Sequence, residues 1–78
     1  MDPATVRGSL AAVRPGLVGR VMAVPDAHRH ELGREGIRAG VVVGVETIVP
    51  FGGPVIVAVG RARVALARRI AAAIEIEA

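Results

Sequence analysis

Proline and glycine recur along this chain so closely that no apolar segment can run far before it must turn. The longest uncharged stretch, Thr47 to Gly60, is itself cut by Pro50, Gly52, Gly53 and Pro54. It is shorter than the ~20 residues of a membrane-spanning helix, and it reads as two strands joined by a loop of strong turn formers. The segments between such breaks are rich in valine. Leu17–Val24 lies between Gly16 and Pro25, Val41–Val49 follows Gly40, and Val55–Val59 precedes Gly60. β-Branched runs of this length bounded by turn residues predict strands. Short strands with frequent turns must curl into one small sheet that buries one face and protects its edges.

The 78 residues suffice for a single domain. Hydrophobic types make up 53% of the chain, which supplies one small core and argues against a disordered tail. There is no cysteine, so disulfide frameworks, zinc ribbons and thiol chemistry are excluded. The N-terminal MDPATVRGSL has an acid at position 2 and no apolar h-region, so it does not read as a signal peptide. The expected compartment is the cytoplasm, without direct membrane insertion.

In detail, residues 1–8 lack periodicity and read as a flexible lead-in, leaving 9–78 as the domain. Ser9 can cap a helical turn over Leu10–Val13, and Gly19 within the first strand marks a bulge or a close approach. Asp26 has the character of a helix N-cap, with the helix running Ala27–Glu35. Gly36 then stands where a left-handed C′ residue belongs, and Ile37 where a Schellman motif places an apolar contact with Leu32. Strict alternation over Val41–Val49 puts Val43, Val45 and Thr47 on one face and Glu46 and Ile48 on the other. Gly60-Arg61 predicts a two-residue hairpin turn of type II′, with Ala62, Val64 and Leu66 inward and Arg61 and Arg63 outward. Leu66, Ile70 and Ala73 form one stripe of a closing helical turn, and Ile74–Glu77 alternates as a last strand. The expected fold is mainly β with short helices: an SH3-like barrel of about five strands with the helix packed at one opening. Its predicted core is Val43, Val45, Val55, Val57, Val64 and Ile76.

The order of these features resembles one family. Leu10…Val13-x-Pro15-Gly16 leads into a strand with Val21 and Val24, and a short helix exits through Leu32-x-x-x-Gly36-Ile37-x-x-Gly40. A valine strand, Pro50-x-Gly52-x-Pro54-Val55-x-Val57, Gly60 and a terminal Ala72-x-Ile74-x-Ile76 follow. The chain resembles the FeoA family over residues 9–77. It departs from the family's pattern at Glu35, where an apolar residue is usual, and at His30, where a basic residue is common. The resemblance implies an SH3-like barrel that serves bacterial ferrous-iron uptake. It further implies a cytoplasmic accessory protein that acts on FeoB, a membrane transporter with a cytoplasmic GTP-binding part. The same barrel closes iron-dependent repressors behind a DNA-binding domain. Here Met1 stands only a few residues before the barrel, which favours the stand-alone form.

Catalysis is not expected. Hydroxyl side chains occur only at Thr5, Ser9 and Thr47, lysine is absent, and no serine–histidine–acid arrangement or phosphate-binding loop is legible. No cofactor is implied. His28, Glu31 and Glu35 form the candidate metal set, a weak surface site for Fe(II) or Zn(II) in a metal-sensing reading. A merely solvated helix face explains the same residues. The candidate partner surface is Phe51, the only aromatic residue, with Arg61 and Arg63 of the hairpin and Arg29 and Arg34 of the helix. All ten basic residues are arginine and the net charge is +3. An RNA- or DNA-binding barrel is a further alternative, disfavoured because stacking aromatics are missing. An exposed edge strand could also accept a second copy of the chain, making a homo-oligomer.

Overall fold

A computed structural model describes residues 7–78. Six strands form one antiparallel sheet in the order β1-β6-β2-β3-β4-β5. They are β1 (Arg7–Ser9), β2 (Val18–Ala23), β3 (Val42–Ile48), β4 (Val55–Val59), β5 (Ala62–Leu66) and β6 (Glu75–Glu77). Two short helices, α1 (Arg29–Arg34) and α2 (Arg68–Ala72), complete the fold. It is the mainly β, SH3-like architecture expected, with one strand more than foreseen.

The extra strand is β1. The lead-in expected over 1–8 ends earlier, because Arg7 and Gly8 pair with Glu77 and Ile76 of β6. Three residues are too few to show alternation, so only the partner strand reveals them. Positions 1–6 of that lead-in lie outside the described residues. Leu10–Val13 is a turn without helix, closed by the Ala12 N–H donating to the Ser9 carbonyl at 3.0 Å. Leu10 and Val13 are nevertheless both buried.

Gly19 is a close approach. A Cβ there would stand 2.7 Å from the Glu77 carbonyl oxygen, so β6 can lie against β2 only because that atom is missing. A bulge between Val21 and Ala23 bends the same strand.

The helical segment differs from expectation at its start. Asp26–His28 forms a 3-10 turn, and α1 begins only at Arg29. The Asp26 side chain caps nothing; it pairs with the Arg29 guanidinium instead. Pro25 fixes the extended conformation before the turn, and so the chain enters through 3-10 geometry. The exit is as expected. Gly36 has φ 85°, the Ile37 N–H donates to the Leu32 carbonyl at 2.8 Å, and the Gly36 N–H to that of Gly33 at 3.1 Å. These are the two hydrogen bonds of the Schellman motif. They turn Ile37 into the core, where both it and Leu32 are buried.

β3 breaks the alternation read from its sequence. Val45 faces Val57, but Thr47 faces Ile56 and Ile48 faces Val55. Glu46 is the extra residue of a bulge, so every side chain beyond it changes face. Thr47 is exposed and Ile48 packs against the core, the reverse of strict alternation. The Gly60-Arg61 turn matches its prediction, with Val59 opposite Ala62 and Gly60 at φ 60°. Ala62, expected inward, is exposed because it lies at the tip of that hairpin, next to the turn. In the last helical turn Ala71, not Ala73, is the buried residue, since α2 starts at Arg68 and presents that face.

All six predicted core residues are buried. They join Leu10, Val21, Leu32, Ile37, Leu66, Ala71 and Ile74 in one cluster that contains no buried polar or charged residue. Among the described residues no helix is long and apolar enough to cross a membrane.

Candidate functional site

The Pro50–Pro54 loop joins β3 to β4 and carries the largest exposed side chain. Phe51 is 104% exposed relative to an extended reference and has φ 60°, the left-handed region that ordinary side chains avoid. Gly52 follows at φ 77°. Two consecutive left-handed residues make the loop turn sharply and leave the ring at its tip.

The loop is held from below. The Arg68 side chain, part-buried at the start of α2, donates through Nε to the Gly53 carbonyl at 3.0 Å. Its Nη2 donates to the Val49 carbonyl at 2.5 Å. The Val49 N–H also donates to the Pro54 carbonyl at 3.0 Å, closing the loop's base. Arg68 is not among the partner residues expected from the sequence. Nothing in its sequence neighbourhood distinguishes it from Arg69, since its acceptors lie 15 and 19 residues away.

The hairpin arginines stand apart from this loop. Phe51 precedes β4 and Arg61 follows it, so the strand's whole length separates them, at about 3.3 Å per residue. Arg61 is exposed. Arg63 Nε lies 2.8 Å from Glu46 Oε1, the residue of the β3 bulge. Arg29 and Arg34 line a shallow depression on α1 with Asp26, His30 and Gly33. The structure thus spreads the candidate partner residues over three places.

The candidate metal set shares one cleft but is not grouped tightly enough to form a metal site. His28 lies in the 3-10 turn while Glu31 and Glu35 belong to α1 and its C-cap. These three residues line one cleft of about 180 Å³ between α1 and the β5–α2 corner, together with Leu32, Leu66 and Ile70. His28 Nδ1 is 4.0 Å from Glu31 Oε2 and has no hydrogen-bond partner. A bound Fe(II) or Zn(II) needs its donors at roughly 2.0–2.2 Å from one point. Among the described residues no three His, Asp or Glu side chains are grouped closely enough to hold an ion.

Fold and surface together define the class: a small SH3-like β-barrel with loops and short helices displayed around a valine core. The family model of the FeoA domain matches residues 8–78, and the chain belongs to the FeoA family. That family is linked to ferrous-iron transport. The chain is similar to a crystal structure of an iron uptake regulatory protein (FeoA), with TM-score 0.81 and 27% identity. The match covers 91% of this chain and 94% of that one. It is also similar to a manganese-dependent transcriptional repressor, with TM-score 0.82 and 28% identity over 95% of this chain. It spans only 42% of that longer protein. Iron(II) transport protein A from Clostridium thermocellum matches at TM-score 0.78 and 25% identity, over 88% of this chain and 44% of that one. No curated protein sequence matches significantly.

Proposed function

We propose that this protein is a cytoplasmic accessory of ferrous-iron uptake that acts by binding the cytoplasmic part of a FeoB-type GTP-binding transporter. Family membership supports the link to iron transport. The observation that carries the binding reading is Phe51, fully exposed on a loop that Arg68 pins to the barrel. An aromatic ring already fixed at a loop tip offers apolar area at low entropic cost, the property of interface anchors. Arg61 and Arg63 steer the encounter through long-range attraction to an acidic surface. Because the ring and the hairpin lie at opposite ends of β4, they make two separate contacts. Arg29 and Arg34 of α1 add a third basic element.

The test is binding of the purified chain to the isolated cytoplasmic domain of the transporter, with circular dichroism on every variant. Phe51→Ala should weaken binding roughly tenfold or more. The Arg61→Glu/Arg63→Glu charge reversal should weaken it too, and reduce its salt sensitivity. Losses at sites this far apart should add in free energy. Folded variants that bind like wild type would move the interface elsewhere.

A further inference from the structure

The helical segment divides its charges between two faces. Arg29, His30 and Arg34 line the shallow depression on one side, where Arg29 pairs with Asp26. Glu31 and Glu35, four residues apart and so on one face, line the cleft of about 180 Å³ against the β5–α2 corner. Leu32, Leu66 and Ile70 give that cleft an apolar floor.

Among the described residues no arginine lines the cleft or pairs with either carboxylate. Arg63 of β5 pairs with Glu46, and the Arg68 guanidinium is held by the carbonyls of Val49 and Gly53. The Arg38 side chain donates to the Gly33 carbonyl at 2.9 Å. Arg61 and Arg69 are exposed and lie outside the lining. His28 brings a third polar group. Its ring is partly exposed, but its Nδ1 is shielded from solvent, 4.0 Å from Glu31 Oε2, and has no hydrogen-bond partner. Sheltered polar atoms ordinarily have one.

Two carboxylates and an acceptor nitrogen beside an apolar floor suit a ligand that is cationic at one end and aliphatic along its length. A metal ion lacks the aliphatic part, and the three donors are too dispersed for it. Pockets for whole small molecules are roughly 300–1,000 Å³, so this cleft takes a single side chain. Arginine matches it best. Its stem packs on apolar surface, its planar fork donates to carboxylates, and its weak hydration eases entry into a sheltered site.

We propose that the cleft between α1 and the β5–α2 corner is an anchor pocket for an arginine side chain of a partner protein. Glu31 and Glu35 accept from the guanidinium, His28 Nδ1 accepts a further N–H, and Leu32, Leu66 and Ile70 receive the stem. The pocket is separate from the Phe51 loop and does not depend on the transporter reading.

The experiment titrates blocked synthetic peptides into the isotope-labelled chain and follows amide shifts. One peptide has a central arginine between alanines; in the other, citrulline, which is nearly isosteric and uncharged, replaces it. The arginine peptide should shift the amides of Glu31, Leu32, Glu35, Ala65 and Leu66 and bind at least tenfold more tightly than the citrulline peptide. Glu31→Gln/Glu35→Gln should keep the melting temperature and abolish those shifts. Asp26→Asn, which removes a carboxylate outside the cleft, and Phe51→Ala should leave them unchanged. Equal binding of the two peptides, or shifts centred elsewhere, would overturn the proposal. Free arginine binding as tightly as the peptide would assign the cleft to a small molecule instead. Self-association in sedimentation that the double glutamine variant abolishes would assign it to a second copy's arginine, and either result also overturns the proposal.

Discussion

At the scale of single residues, Arg68 shows how a charged side chain serves position more than recognition. Its guanidinium satisfies two loop carbonyls, at Val49 and Gly53, and thereby fixes where Phe51 stands. Hydrogen bonds from charged donors contribute about 1.5–3 kcal/mol each, and fewer partners remain for the carbonyls once the donor is gone. Arg68→Ala should lower stability by about 1–3 kcal/mol in urea unfolding and should also broaden the amide signals of residues 49–54. Arg69→Ala, at an exposed position one residue on, should do neither. Gly19 is the opposite case, where absence of a side chain is the structural element. Gly19→Ala would push a methyl group to within 2.7 Å of the Glu77 carbonyl. The β2–β6 pairing must then shift, at a cost of about 1–3 kcal/mol. A melting temperature equal to wild type would show that β6 moves freely.

At the scale of elements, two glycines of the α1 segment have different work and should respond with opposite signs. Gly36 is left-handed at φ 85°, closes the Schellman motif, and has Val59 Cγ1 within 3.3 Å of where a Cβ would stand. Gly36→Ala should destabilise by about 1–2 kcal/mol, the cost of a left-handed L-residue. Gly33 lies inside α1 with open space around its missing Cβ. Gly33→Ala should stabilise by about 0.5–1 kcal/mol, through higher helix propensity and a less free unfolded chain. Thermal unfolding of the two variants beside wild type checks both signs at once. The bulge at Glu46 also belongs to this scale. One additional residue turns Thr47 outward and Ile48 inward, and it brings the Glu46 carboxylate to Arg63 on the neighbouring hairpin.

At the scale of the whole molecule, a single apolar cluster ties every strand except β1 to the helices. Val57 is at its centre, fully buried on β4 and paired with Val45 and Val64. Val57→Ala should cost about 1–3 kcal/mol, from lost transfer energy and the cavity left behind. For a domain this small that is a large share of the total, so a melting temperature many degrees lower is expected. Phe51→Ala, in contrast, removes a ring that touches water on every side and should leave the melting temperature within about a degree of wild type. The pair separates the two uses of apolar side chains here: one set holds the barrel, the other faces outward.

The sequence by itself determined the class of fold, because valine runs between fixed turn formers allow little besides a small curled sheet. Gly36, Gly60 and the Pro50–Pro54 loop were legible for a local reason, since backbone conformation at a turn depends on the residue that occupies it. The core valines followed from periodicity. Tertiary structure alone decided what depends on distant neighbours. β1 exists only against β6, the turn of face at Glu46 appears only in register with β4, and Arg68 acquires its role only when the loop folds over α2. The spread of the candidate site has the same origin. Phe51 and Arg61 are ten positions apart in sequence and resemble one patch, yet an intervening extended strand holds them at its two ends. Val18 and Val42 are far apart in the chain, and only strand pairing makes them one outward surface.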